Sequence, residues 1–269
     1  MINQPYHRYH AKKRFGQHFL HDQYIIDAII NAIYPQYGQA MLEIGPGLGA
    51  LTHKIEPLIN KLTVIEIDRD LTLRLKNHSR LKHKINIFQQ DALIFNFSDF
   101  SNKKNQLLRI FGNLPYNIST PLIFHLFNHI NAIHDMHFML QQEVADRLLA
   151  EPGNKNYSRL SVMSQYYCQM FPVISVPASA LTPIPKVNST VVRFIPIKTT
   201  VQSPIHIHAL HRITKAAFNQ RRKKIQNSLQ YLVSIEGLMK MNISPDLRAE
   251  NISVLQYYQL ADWLTKNHG

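Results

Sequence analysis

The stretch Met41-Leu42-Glu43-Ile44-Gly45-Pro46-Gly47-Leu48-Gly49 decides how this chain is read. Met41 to Ile44 is a short apolar run of the kind that forms a buried strand, and three glycines close it. A helical pattern follows from Leu51 to Ile59, blunted by Pro57. Strand, glycine turn and helix in that order make a place where backbone amides face a ligand at a helix N-terminus. Glycine permits positive φ and lets a ligand approach the main chain closely.

The pattern extends in both directions. Upstream, Asp22 is a good N-cap for an amphipathic helix carrying Ile25, Ile26, Ile29, Ile30 and Ile33 on one face, stopped by Pro35 and Gly38. Downstream, Leu62 to Ile67 reads as strand two, Asp68 to Lys76 as a helix, and Ile85 to Phe88 as strand three. Strand Leu107–Phe111, helix Ser119–His129, strand His137–Leu140 and helix Glu143–Ala150 continue the alternation. Alternation of this kind predicts an α/β fold, a Rossmann-like parallel sheet with helices on both faces. Pro172–Val176 and Thr190–Ile195 read as a late hairpin on that sheet. After Pro196 the texture changes: residues 205–269 show helical periodicity and no convincing strand. The reading is therefore a large domain over residues 1–200 and a small all-helical one over 201–269, joined by the polar linker Lys198–Pro204.

Composition narrows the partners. The chain has 269 residues, 45% hydrophobic and 17% charged, with 30 Lys+Arg against 17 Asp+Glu for a net charge of +13. That balance suits a polyanion such as nucleic acid. The basic residues gather at the flanks: Arg8, Lys12, Lys13 and Arg14 precede the first acid, and residues 201–269 hold nine bases against four acids. A single cysteine, Cys168, excludes intramolecular disulfides and cysteine-based zinc sites, and the 15 histidines show no metalloprotease spacing, so no metal is called for. No run of about 18 apolar residues is present and the N-terminus lacks a signal-peptide core, which points to a cytoplasmic protein without a membrane partner.

Gly45-Pro46-Gly47-Leu48-Gly49-Ala50 also satisfies the dinucleotide pattern, so a nicotinamide cofactor has to be weighed. Glu43, two residues before Gly45, would repel a pyrophosphate but accept from a cationic amino group. Pro46 suits a turn around an amino-acid moiety better than one donating amides to phosphate. S-adenosylmethionine thus outranks NAD. Glu66 ends strand two, 21 residues past Gly45, where a carboxylate accepts from both ribose hydroxyls. Asp91, after strand three, is placed to accept from an adenine amine; alone it would read equally well as a helix N-cap.

Asn113-Leu114-Pro115-Tyr116 follows strand four. In isolation the tetrapeptide would be a plain turn. Behind a cofactor turn it suits an adenine amine, whose lone pair is delocalised and must be drawn toward tetrahedral geometry. Asn113 accepts one amine hydrogen and the Leu114 carbonyl the other, with Pro115 holding the backbone extended. Tyr116 offers a stacking face worth about 1–3 kcal/mol per base. In-line attack on a sulfonium methyl then needs mainly positioning.

At these residues the chain resembles the small-subunit ribosomal RNA adenine dimethyltransferases, the KsgA/RsmA family. The resemblance also covers Lys13-Arg14-Phe15-Gly16-Gln17-His18-Phe19-Leu20, Gln90-Asp91-Ala92, Phe111 to Ser119, Pro183-x-Pro185-Lys186-Val187-x-Ser189 and Ala217-Phe218-Asn219-Gln220-Arg221-Arg222-Lys223. It implies a class I methyltransferase fold and transfer of four methyls from S-adenosylmethionine, two to each of two adjacent adenosines. These lie in the hairpin loop near the 3′ end of 16S rRNA, within the 30S subunit or its precursor. It implies cofactor contacts from His18, Leu20, Gly45, Glu66, Asp91 and Asn113, joined by Glu43 and Gly47 from the reading above, and a monomer. Position 18, often asparagine in that family, is histidine here. Arg221, Arg222 and Lys223, in a net-positive domain, are candidate RNA contacts, as is Lys186 in the proline loop. A large-subunit adenine dimethylase of the macrolide-resistance type and a binding-only assembly factor are the rival readings.

Overall fold

The computed structural model describes residues 9–78, 81, 83–197 and 204–268. Arg8 and the linker up to residue 203 lie outside the described residues. Close contacts divide the chain into two units, the first comprising residues 1–145 and 170–196, the second 146–169 and 197–269.

Among the described residues nine strands are formed: β1 (Phe19–Leu20), β2 (Ala40–Ile44), β3 (Leu62–Glu66), β4 (Ile85–Gln89), β5 (Leu108–Asn113), β6 (Ile133–Gln141), β7 (Cys168–Val176), β8 (Leu181–Thr182) and β9 (Ser189–Pro196). Seven of them make one sheet in the order β4-β3-β2-β5-β6-β9-β7. Neighbours from β4 through β6 run parallel and β9 is antiparallel to β6. The order reverses between β2 and β5, and a crevice opens at that switch, beyond the carboxyl ends of the strands.

The core explains the element choices. Asp22 caps α1 (Gln23–Ile33), accepting from the amides of Tyr24 and Ile25, and Ile25, Ile26, Ile29, Ile30 and Ile33 are all buried. They pack with Met41, Leu62, Val64 and Phe111 of the sheet. The helix after the glycine turn is shorter than its pattern: α2 (Thr52–Ile55) gives way to a 3-10 turn at Glu56–Leu58, where Pro57 cannot donate to an α-helical bond. Beyond β3, Asp68 caps α3 (Arg69–Lys76). Next come α4 (Phe97–Lys104), α5 (Ser119–Phe127) and α6 (Gln142–Leu149). α4 is absent from the sequence reading, which missed Asn96 accepting from the Asp99 amide as an N-cap. β1 and β8 form a separate two-stranded antiparallel sheet, too short for any periodicity to reveal.

In the second unit, α7 (Arg159–Tyr167) packs with α8 (Pro204–Asn219) and with the last helix (Val254–His268). Residues 146–169 thus group with the C-terminal helices, unlike a cut at residue 200. Their buried face, Leu160, Val162, Met163, Tyr166 and Tyr167, gives the helical unit part of its core. Two short helices, α9 (Ile225–Ser228) and α10 (Ile235–Lys240), precede α11 (Val254–His268).

Candidate active site

The crevice has a volume of about 1040 Å³ counted out to its open mouth, and all its lining residues belong to the first unit. Its floor is the glycine turn. The Gly45 amide donates to the Ile65 carbonyl at 2.9 Å, tying the turn to β3. Gly47 has φ +58°, and a Cβ there would come within 3.1 Å of the Phe19 ring, so any other residue would be strained in the cradle.

Three carboxylates stand at the carboxyl ends of successive strands. Glu43 is buried and accepts from the Thr52 hydroxyl at 2.6 Å. Burial pushes its carboxyl up to about 8, with Glu66 adding repulsion and Thr52 opposing. Glu66 accepts from the Asp68 amide on one oxygen (2.9 Å) and from the Gly47 amide on the other (3.2 Å). Burial likewise raises it, against those amides. Asp91 accepts from the Leu93 amide at 2.9 Å, so it does cap the turn Ala92–Ile94, and it lines the crevice as well. The donor set fits S-adenosylmethionine: a buried carboxylate for a cation, a second whose oxygens keep lone pairs for a diol, and a third beyond it for an amine.

Asn113, Leu114, Pro115 and Tyr116 line the same crevice. The Asn113 amide nitrogen donates to the His18 carbonyl at 2.7 Å. A carbonyl can only accept, so this bond fixes which end of the side chain is the oxygen. The Leu114 amide donates to the Met139 carbonyl at 3.3 Å, which holds the loop against β6. The Tyr116 hydroxyl meets Ser189 at 2.8 Å, and the His18 ring stacks on the Tyr116 ring with centroids 5.1 Å apart and planes inclined by 27°. His18 Nδ1 lies 2.6 Å from the Pro183 carbonyl. One face of Tyr116 is therefore covered by His18. Gly112, just before the motif, leaves no room for any side chain: a Cβ would sit 2.3 Å from the Ile44 carbonyl oxygen.

His18, Leu20, Glu43, Gly45, Gly47, Glu66, Asp91 and Asn113 to Tyr116 thus all face one crevice. Lys186 is exposed on the proline loop. Arg221, Arg222 and Lys223 belong to the second unit and lie beyond the end of α8 rather than on a helix face. Arg221 pairs with Glu250 at 2.8 Å and also donates to the Lys155 carbonyl, whereas Arg222 and Lys223 are exposed. Sequence reasoning named Gly112 and Ser189 only as motif positions, and gave no role in the site to Thr52 or, above all, Asp68. The last is readable only as a helix start until the N-terminal segment is seen to converge on it.

The fold and the crevice define the class: the chain is an S-adenosylmethionine-dependent methyltransferase. Comparison with known proteins gives the family. The family described as ribosomal RNA adenine dimethylase matches residues 8–266. The ribosomal RNA small subunit methyltransferase A of Erwinia tasmaniensis is 57% identical over 98% of this chain and 97% of its own. The protein of the same description from Citrobacter koseri is 59% identical over 99% and 98%. Among solved structures, a dimethyladenosine transferase from Plasmodium falciparum is 26% identical with a TM-score of 0.77, covering 90% of this chain and 95% of that one. The 23S rRNA methyltransferase ErmE shares the fold, with a TM-score of 0.69 at 22% identity over 91% of this chain and 99% of its own. The chain belongs to the ribosomal RNA adenine dimethylase family.

Proposed function

We propose that the protein dimethylates the N6 amines of two adjacent adenosines in the 3′-terminal hairpin loop of 16S rRNA, presented by the 30S subunit or its precursor. The observation that carries the reading is the Asn113 side chain, whose nitrogen is held by the His18 carbonyl at 2.7 Å and whose oxygen is left as an acceptor beside three carboxylates. The names of the relatives, small-subunit methyltransferases at 57–59% identity over almost the whole chain, favour the small subunit over the large.

S-adenosylmethionine supplies an electrophilic methyl group. Glu43 receives its cationic end, Glu66 the ribose hydroxyls and Asp91 the adenine amine, with Gly45 and Gly47 forming the floor and His18 and Leu20 the wall. Asn113 Oδ1 and the Leu114 carbonyl accept the two hydrogens of the target amine, which aims the nitrogen lone pair at the methyl carbon. The bound cofactor would give its methyl carbon to that nitrogen and keep the electron pair of the broken C–S bond on sulfur. The amine proton turns acidic only then, so no strong base is needed beforehand. Tyr116, fixed by Ser189 and His18, offers its open face to the base. A loop adenosine reduces the unstacking cost.

Arg222, Lys223 and Lys186 contact RNA phosphates, with Arg221 set among them by its internal bonds. The protein acts as a cytoplasmic monomer. Among the described residues no helix is long and apolar enough to cross a membrane. The test is transfer of labelled methyl groups to under-methylated 30S and, separately, 50S subunits, with mass analysis of the nucleosides. Dimethyladenosine confined to the 30S reaction is the expected result; label confined to 50S overturns the target, and no label in either overturns the activity.

A further inference from the structure

Residues 9–20 form a strap whose last six residues line the crevice, and Tyr9, Lys12 and Gln17 converge on one carboxylate that the chemistry above does not use. The side chain of Asp68 is only 1% exposed. Its Oδ2 accepts from the Tyr9 hydroxyl at 2.5 Å and from Gln17 Nε2 at 3.2 Å. Its Oδ1 accepts from Lys12 Nζ at 2.8 Å and from the Asp70 amide at 3.0 Å. Gln17 uses its other end to accept from the Lys12 amide at 2.8 Å, and Lys12 Nζ also reaches Asp70 at 2.7 Å. Three side chains of the strap are thus hung on a single acid, the N-cap of α3. Burial alone would raise that carboxyl, but Lys12, Tyr9, the Asp70 amide and Gln17 together hold it at about 2.

The strap carries crevice wall. Phe15, Gly16, Gln17, His18, Phe19 and Leu20 all line it. The Phe19 ring lies over the glycine turn and packs with Leu48 and Leu71, and Tyr9 meets Phe19 edge-on at 5.7 Å. At its far end the strap is held by Asn113 on the His18 carbonyl and by pairing of β1 with β8. Apolar contacts of Tyr9, Ala11, Phe19 and Leu20 and the His18 stack on Tyr116 help to hold it, but the bonds to Asp68 are polar, and polar fastening to a charged group is strong when made and readily broken by a single substitution. The same residue also faces inward: the Asp68 amide holds Glu66 Oε1 at 2.9 Å, while Glu66 Oε2 takes the Gly47 amide beneath Phe19.

We infer that Asp68 is a positioning residue that clasps the residue 9–20 strap over the cofactor and sets how fast the cofactor leaves, while taking no part in methyl transfer. This rests on the methyltransferase reading. Asp68 connects the wall that covers the cofactor to the carboxylate that receives its ribose, so the strap closes most firmly when Glu66 is in its binding position. The strap must come off its clasp for the spent cofactor to be exchanged.

The test compares wild type with Asp68→Asn and with the double variant Tyr9→Phe/Lys12→Met, which leaves the sheet and the α3 cap untouched. Lys12→Arg, which still reaches both acids, is the rescue. Dissociation of S-adenosylhomocysteine is followed by stopped-flow chase, and trypsin cleavage after Lys12, Lys13 and Arg14 is timed with and without saturating S-adenosylhomocysteine. Losing hydrogen bonds to a charged acceptor at this site is expected to speed dissociation by about tenfold or more in both disabled variants. Ligand should protect the strap from trypsin in wild type and Lys12→Arg only, and single-turnover transfer by the Tyr9→Phe/Lys12→Met variant at saturating S-adenosylmethionine should stay within about twofold of wild type. Wild-type dissociation and cleavage rates in both disabled variants overturn the clasp, as does a transfer rate that falls in step with affinity. Failure of the wild-type protein to bind either ligand would instead overturn the methyltransferase reading.

Discussion

Assigning Glu43 to the cofactor's cationic end predicts that cofactor binding is linked to loss of a proton. The carboxyl is 2% exposed, and burial raises it from an ordinary 4.5 to about 8. At pH 7 it is mostly neutral, and a cation brought against it must first drive the proton off. A nearby opposite charge lowers a carboxyl by about 1–3 units. With a starting value of about 8, linkage then makes affinity for S-adenosylmethionine rise between about twofold and about eightfold from pH 6 to pH 7. That window is the informative one, because an ordinary α-amino group, pKa about 7.7–8.0, stays charged throughout it. Titration calorimetry at the two pH values, repeated in buffers of different ionisation enthalpy, reads both the affinity and the proton released. Glu43→Gln keeps an acceptor for Thr52 but has no proton to lose, so its affinity should be lower and flat with pH. The free protein gives an independent check. The folded-state value lies above the unfolded one, so the neutral acid stabilises the fold fully below about 4.5, and that contribution is lost as pH rises through about 8. Glu43→Gln should therefore melt higher than wild type at pH 8, with the gap closing toward pH 5. A wild-type affinity that does not change between pH 6 and 7, or an equal slope in Glu43→Gln, refutes the assignment of Glu43 to the cationic end.

The other predictions concern the wall, the motif and the surface. Asn113→Ala should cut single-turnover transfer by about a hundredfold or more, as loss of one oriented acceptor does, and should also weaken cofactor binding because the His18 carbonyl loses its donor; a wild-type rate removes the mechanism. Gly112→Ala forces a Cβ to within 2.3 Å of the Ile44 carbonyl oxygen and should cost about 1–3 kcal/mol in urea unfolding, with activity lost as β5 shifts. Asp135→Ala strands Arg109, which is paired to it twice at 2.8 Å and also holds the Ile33 carbonyl at 2.7 Å, and should cost about 3–5 kcal/mol by the same assay. Arg222→Glu with Lys223→Glu should lower affinity for 30S subunits and flatten its dependence on salt, measured by filter binding; an unchanged slope removes both from the RNA surface.

What could be read from the sequence was whatever one element could hold by itself. The isoleucine face of α1 and its Asp22 cap lie within a dozen residues, and both appear in the structure as the spacing predicts. Glu43, Glu66 and Asp91 were legible because a parallel sheet puts successive strand ends along one edge. Asp68 was not, since its partners Tyr9, Lys12 and Gln17 are 51 to 59 residues away in the chain. No periodicity links a carboxylate to a segment so distant. α7 escaped for a related reason: Leu160, Val162, Met163, Tyr166 and Tyr167 are buried among the C-terminal helices, so their pattern reads as a helix only once those helices are in place. The basic run from Arg221 to Lys224 was visible as charge, but that Arg221 and Lys224 pair with Glu250 and Asp246 depends on acids 22 to 29 residues further on.

The distribution of the few acids resolves an apparent conflict in the composition. A chain of net charge +13 should repel a cationic cofactor at long range. Yet four of its 17 acids, Glu43, Glu66, Asp68 and Asp91, are collected at the crevice or directly behind it, and the low exposure of the first three leaves them poorly screened. Lys186 in the first unit and Arg222 and Lys223 in the second are exposed bases whose charge acts through solvent. Fields of opposite sign can coexist because they work over different distances. Surface lysine and arginine reach about a Debye length, roughly 8–10 Å, into solution, while a buried carboxylate acts only on what enters the crevice. A neutral Glu43 suits this arrangement further: until a cation arrives, the crevice presents less negative charge to an approaching phosphate backbone than its residue count implies.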